Sequence, residues 1–380
     1  MIFPNIAASW SRIFYGWRMI GLVSAIRVVG GGIHQYGFTV FFLPISQDLG
    51  MSRAATSLAF SLARAQGAIE APLVGYLIDR FGPRPIIVTA AFLAGAGYIL
   101  LSWVDSYASF LVVYLAVISL AFIAGFVHSP MVIANSWFIR QRARAMTVVS
   151  AAVPVGGAIL SPLLAVGVQS LGWRWAAFFS GCLFLAVCLP LSFQVRRSPE
   201  SMGLLPDGEA PRARDSDAHS MNNIASEPRE RDLPAAQAMK TAIFWLLVVS
   251  MTARVAAYST VSVHFVPVMV WQGLAQEEAA FMLGAFAFTT LLDASFPIVW
   301  ATVGDFYGRK YFATIRGMLS FFYMWGSVAG PVLAGAMYDR SQSYRGVMWI
   351  FFFILALATL LNALLIKPWR RCATAAQLNN

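Results

Sequence analysis

The chain has 380 residues, 59% of them hydrophobic and only 12% charged, with a mean hydropathy of +0.68. That balance excludes a soluble globular domain, and apolar runs of about twenty residues imply helices that cross a membrane. The formal charge of +10 would suggest nucleic acid as a partner in a soluble protein; here it reflects cytoplasmic loops rich in Arg and Lys, and no nucleic acid is expected.

Apolar runs fall near 17–43, 54–78, 85–104, 108–136, 145–169 and 174–194. A polar stretch at about 195–240 follows, then runs near 241–270, 278–303, 313–337 and 346–366. The backbone in lipid must satisfy its own hydrogen bonds, so the ten runs are predicted as helices. The first run is too long for a signal-peptide core, so no cleavable signal is expected. The polar stretch holds eight of the seventeen acids, seven basic residues and five prolines, the composition of a flexible linker. The expected organisation is an N-terminal six-helix bundle at 1–194, a cytoplasmic linker at 195–240, an incomplete C-terminal bundle at 241–370 and a tail at 371–380.

Basic residues set the orientation. With both termini in the cytoplasm, about twenty of the 27 Lys and Arg lie on the cytoplasmic side. Only Arg53, Arg174, Arg340 and Arg345 face the other side. The cytoplasmic set includes Arg142 and Arg316, counted there as loop charges.

The two halves resemble one another. A shift of 169 residues brings Phe138-x-Arg140 onto Tyr307-x-Arg309, Gly157 onto Gly326 and Pro162 onto Pro331. The first helix of each half aligns best at a shift of about 227, which places Arg27 on Arg254. The difference, about 58 residues, corresponds to two helices missing from the second half. Two seams stay open. One lies near Thr290–Ser295; the other follows Lys310, with Asp79 on Asp305, Gly82 on Gly308 and Arg84 on Lys310.

Between the second and third runs stands Gly75-Tyr76-Leu77-Ile78-Asp79-Arg80-Phe81-Gly82-Pro83-Arg84. It resembles the signature loop of the major facilitator superfamily at that place, matched by Gly75, Asp79, Arg80, Gly82 and Arg84. Phe14-Tyr15-Gly16-Trp17, Gly172-Trp173-Arg174-Trp175, the run from Pro199 to Gly208 and His264-Phe265-Val266-Pro267 are similar to the family's bacterial monocarboxylate-transporter and oxalate/formate-antiporter branch. The resemblance implies an all-α polytopic two-bundle fold of six plus about four helices, here in a cell's inner (plasma) membrane. It implies secondary transport of a small organic anion by alternating access, and no catalysed reaction. It also implies that Asp79 latches the cytoplasmic side near the start of the helix at Ala313. The gating set is Gly75, Asp79, Arg80, Gly82, Arg84, Arg140, Asp305 and Arg309.

Ionisable residues inside a bilayer are functional candidates by default. Arg27 lies ten residues into its run, about 15 Å along a helix, and Arg254 lies at similar depth. Two guanidinium forks suit a carboxylate, with a structural ion pair to Glu70 as the competing reading for either arginine. His34 and His264, on the same two helices, complete the substrate-binding set. Glu70 and Asp293, the acids placed well inside spans, are the proton-coupling candidates. His128 is expected to be a satisfied polar residue of the fourth helix. Cys182, Cys188 and Cys372 show no metal spacing, and neither metal nor cofactor is implied. The expected partners are the anion, protons or an exchanged anion, and the lipid bilayer. Two other readings stand beside transport of an anion: export of a hydrophobic compound on the same fold, and a transport-inactive, receptor-like or degenerate membrane protein.

Overall fold

The computed structural model describes residues 14–51, 53–208, 232–274, 295–357 and 359–360. Among the described residues all regular structure is helical. The first helix, α1 (Tyr15–Gly30), passes through a π-helical turn at Gly31–Tyr36 into α2 (Phe38–Asp48). There follow α3 (Arg53–Phe81), α4 (Pro83–Leu101), α5 (Tyr107–Trp137), α6 (Arg142–Leu171) and α7 (Trp173–Gln194). The remaining elements are α8 (Ala242–Trp271), α9 (Ser295–Tyr307), α10 (Phe312–Ser341) and α11 (Arg345–Leu357). Six of the described helices are long and apolar enough to cross a membrane: α4, α5, α6, α7, the Ala242–Val261 part of α8, and α10.

The chain divides into two compact units. The first holds α1 to α7, together with α9 up to Asp305 and the opening turn of α10, Phe312–Gly317. The second holds α8, the turn Phe306–Tyr311, the rest of α10 and α11. Chain order alone would give everything beyond residue 241 to the second bundle. The opening turn of α10 and most of α9 join the first unit because Asp79 and Arg142 hold them there, through bonds described below.

Inside the first unit, α1 packs along α6 and α4 packs along α7. Small residues set the first contact: a Cβ on Gly156 would lie 2.0 Å from the Val28 carbonyl oxygen, so only glycine lets these backbones meet. The outward face of α6 carries exposed Ile159, Leu163 and Val166 at helical spacing, an apolar stripe suited to lipid tails. In the second unit, α8 and α10 meet through Gly326 against Thr252 and Gly330 against Thr260.

The ends of the segment read as linker carry structure. Val195 is fully buried, Trp137 Nε1 donates to the Arg196 carbonyl at 3.3 Å, and a 3₁₀ turn forms at Pro199–Met202. Apolar anchors, which a bulk composition count averages away, fix this part.

Candidate functional site

Asp79 closes α3, just beyond the apolar run 54–78. Its carboxylate accepts from the Ala313 amide at 3.2 Å, from the Thr314 amide at 2.8 Å and from the Thr314 hydroxyl at 2.6 Å. These amides belong to the first turn of α10, whose N–H groups have no partner within the helix and whose dipole favours a negative charge. Close approach is possible because Gly75 lies one turn earlier: a Cβ there would sit 2.2 Å from the Ala313 oxygen. Gly82 then breaks the helix at φ +89°, and Pro83 opens α4. Burial raises the Asp79 carboxyl to about 6, outweighing the Thr314 and Ala313 hydrogen bonds and nearby Arg197, which pull it down.

Asp305 makes a second such contact. It pairs with Arg142 Nη1 at 2.6 Å, and Arg142, the first residue of α6, is only 2% exposed. Gly304 leaves room for it, since a Cβ there would meet Asn135 Oδ1 at 2.1 Å and Arg142 Cδ at 2.9 Å.

Two turns repeat. Phe138–Gln141 precedes α6 and Gly308–Tyr311 precedes α10, with the same succession of backbone states at a shift of 170 residues. Each is capped by a distant carboxylate. Asp207 accepts from the amides of Ile139, Arg140 and Gln141 at 2.9, 2.8 and 3.2 Å. Asp232 accepts from those of Arg309 and Lys310 at 3.1 and 3.0 Å. Thus Arg140 and Arg309 enter these contacts through their backbones. Arg80 turns outward, donating to the Tyr76 hydroxyl at 3.1 Å, and Arg84 is exposed.

Arg27 is deeply buried in α1, 7% exposed, and its Nε and Nη1 have no hydrogen-bond partner among the described residues. Arg316 of α10, 1% exposed, is near enough to repel it. Arg316 donates Nη1 to the Val127 carbonyl at 3.1 Å and lies over the Trp300 ring at 4.5 Å from its centroid. His128, also buried, is within electrostatic reach of Arg316, and its Nδ1 has no partner among the described residues. Two buried cations side by side, one with unsatisfied donors, cost energy unless an anion neutralises them.

The other predicted residues are placed apart from this pair. Glu70 is bonded through Oε1 to Gln66 on its own helix; among the described residues no cation of another helix pairs with it, and its Oε2 is buried without a partner. His34 sits in the π-helical turn, its Nδ1 3.2 Å from the Tyr98 hydroxyl and its ring 4.2 Å from that of Phe122. Arg254 belongs to the second unit, beside Tyr323 and Tyr258. His264 falls in α8, with its side chain outside the description, and Asp293 lies outside the described residues.

Sequence reasoning missed Arg142, Trp300, Thr314, Asp207 and Asp232, took Arg316 only as a loop charge and a basic neighbour of Asp79, and misjudged His128. Both arginines stand at helix starts beside polar turns, where a count of loop charges absorbs them. No local pattern distinguishes a buried arginine there from a solvated one.

A family model described as Major Facilitator Superfamily matches residues 28–316. The oxalate:formate antiporter of Oxalobacter formigenes is 27% identical over 194 residues, 51% of this chain and 46% of that protein. Monocarboxylate transporter 3 of Rattus norvegicus is 30% identical over 178 residues, 46% of this chain and 35% of that one. The matches thus span half or less of these relatives' length. Among solved structures, the transporter FucP in its outward conformation superposes with a TM-score of 0.62 at 14% identity, over 90% of this chain and 97% of FucP. That likeness concerns the fold.

Proposed function

Because the chain belongs to the Major Facilitator Superfamily, a family of transporters rather than enzymes, we propose that it carries a small organic anion across the inner membrane by alternating access. The observation that carries this reading is the buried Arg27 guanidinium, with two unpartnered nitrogens, beside buried Arg316. A carboxylate bound there would accept from the Arg27 fork and relieve the repulsion between the two cations. Arg254, which the repeat pairs with Arg27, and His34 and His264 are proposed to contact the anion in other steps of its passage. The relatives named for oxalate, formate and monocarboxylates support this substrate class.

Glu70 is the proposed proton carrier, since its buried Oε2 can take up a proton without breaking an existing bond. Asp293 stays with it as a candidate. Both termini are proposed to be cytoplasmic on the distribution of Lys and Arg. Asp79, with Gly75, Gly82 and the Asp305–Arg142 pair, is proposed to hold the cytoplasmic gate, and Arg80, Arg84, Arg140 and Arg309 flank it.

Uptake by purified protein in liposomes, across a panel of carboxylates and with an imposed pH gradient, tests the reading. Arg27→Gln and Arg254→Gln should abolish anion uptake while membrane insertion survives. Glu70→Gln should preserve exchange and remove proton-driven accumulation. Flux that persists in Arg27→Gln would favour carriage of a hydrophobic compound, and no flux for any carboxylate would leave a transport-inactive protein.

A further inference from the structure

A cleft of about 240 Å³ opens where α3 turns into α4 and the chain leaves α7. Arg84, Arg196 and Arg197 line it, with Phe81, Pro85 and Val195 as its apolar wall, and no acid is among its lining residues. All three arginines are exposed. The site is built, not merely charged. The backbone of Arg196 is clamped on both sides: its amide donates to Met19 Sδ at 3.4 Å and its carbonyl accepts from Trp137 Nε1. Arg197 lies across Gly82, where a Cβ would come within 3.2 Å of its Cδ, and donates Nη2 to the Asp79 carbonyl at 3.0 Å.

Its level in the fold identifies the ligand. The cleft stands at the ends of two membrane-crossing helices, α4 beginning at Pro83 and α7 ending at Gln194. Phe81, in the wall of the cationic cleft, is 57% exposed, and Phe193, near the end of α7, is 52% exposed. A soluble anion has no use for those rings; a lipid has, with tails beside them and its headgroup in the cleft. Phosphate oxygens radiate from one centre and suit guanidinium groups arriving from several directions.

We propose that the cleft formed by Arg84, Arg196 and Arg197 binds the phosphate of an anionic phospholipid headgroup. Arg197 then joins this lipid site to Asp79, so the lipid acts on the cytoplasmic latch through one side chain. The site is separate from the Arg27–Arg316 pair, and its test reads binding alone, independent of whether any anion is carried.

Delipidated protein in detergent, titrated with phosphatidylglycerol or phosphatidylcholine of matched chains and read by native mass spectrometry, should retain phosphatidylglycerol preferentially. Arg84→Gln/Arg196→Gln, which leaves the Arg197–Asp79 bond in place, should weaken that retention roughly tenfold or more. Arg84→Lys/Arg196→Lys should keep most of it, which separates lost charge from lost folding. Arg144→Gln, removing an exposed charge from the first turn of α6, should leave retention unchanged. Equal retention of the two lipids, or equal loss in Arg144→Gln, would overturn the site. Displacement by inorganic phosphate at equal concentration would overturn the lipid source and assign the cleft to a soluble phosphate.

Discussion

Asp79 and Thr314 are joined twice: one carboxylate oxygen accepts from the Thr314 amide at 2.8 Å and from its hydroxyl at 2.6 Å. The other oxygen takes the Ala313 amide. The acid therefore acts as an N-cap supplied from 235 positions away in sequence. Losing such a cap costs about 1–2 kcal/mol. Asp79→Ala should lower the thermal midpoint accordingly and increase labelling of a cysteine placed at position 313. Thr314→Val should give a smaller loss, because the amide bonds survive. Unchanged labelling in Asp79→Ala would show that the contact does not close this end.

The same carboxyl sets a pH dependence. Its value in the latched structure, about 6, stands above the ordinary 3.8 because burial disfavours its charge. The latched form therefore binds the proton more tightly than a form with Asp79 hydrated. Ionised Asp79 weakens its contact with the first turn of α10 above about pH 6, and this penalty fades as the pH falls from 6 towards 4. Cysteine labelling at position 313, taken relative to a cysteine at an exposed position to remove the thiol's own pH dependence, should decrease over that window in the wild type, and the ratio should stay constant in Asp79→Asn.

Arg142 and Asp305 make a different bargain. The arginine is buried, but the Asp305 side chain is 44% exposed, so water weakens their attraction. Asp305→Asn should cost on the order of 2 kcal/mol, below the 3–5 kcal/mol of a fully buried broken pair. In a double-mutant cycle read by chemical denaturation, Arg142→Gln/Asp305→Asn should be less destabilised than the sum of the two single changes.

Arg27 should behave in the opposite sense. It is buried, repelled by Arg316 and has two nitrogens without a partner among the described residues, so Arg27→Met should raise the midpoint of the anion-free protein. It should also remove the stabilisation expected of the proposed carboxylate in the wild type. Thermal melts with and without the anion read both effects. A structural arginine would give the reverse result, with the empty protein destabilised.

Gly75 has almost no latitude. Its missing Cβ faces the Ala313 oxygen at 2.2 Å, so Gly75→Leu should push α3 from the first turn of α10 and cost about 1–3 kcal/mol. Gly21, with nothing within 4 Å of its Cβ position, is the control and should accept alanine. Circular dichroism melts of the two variants test the difference.

The sequence by itself determined the helical, membrane-spanning character of the chain, since length and apolarity alone force backbone hydrogen bonds inward. It also determined the turn at Gly75–Arg84, because glycines and polar residues at fixed spacing are local signals, and it paired Phe138-x-Arg140 with Tyr307-x-Arg309, one residue away from the register in which Phe138–Gln141 matches Gly308–Tyr311. It marked Asp79, Arg27 and Glu70, whose charge in an apolar run is conspicuous. What it could not determine was pairing. That Asp79 meets Thr314 was foreshadowed by family likeness, but Asp305 choosing Arg142, and Asp207 and Asp232 capping two equivalent turns, follow from separations of 163, 66–68 and 77–78 residues. Arg316 reads as a solvated loop charge and is 1% exposed. Burial and partnership are properties of what the folded chain brings alongside, so only the tertiary structure decided which charges are paired across the fold and which are buried.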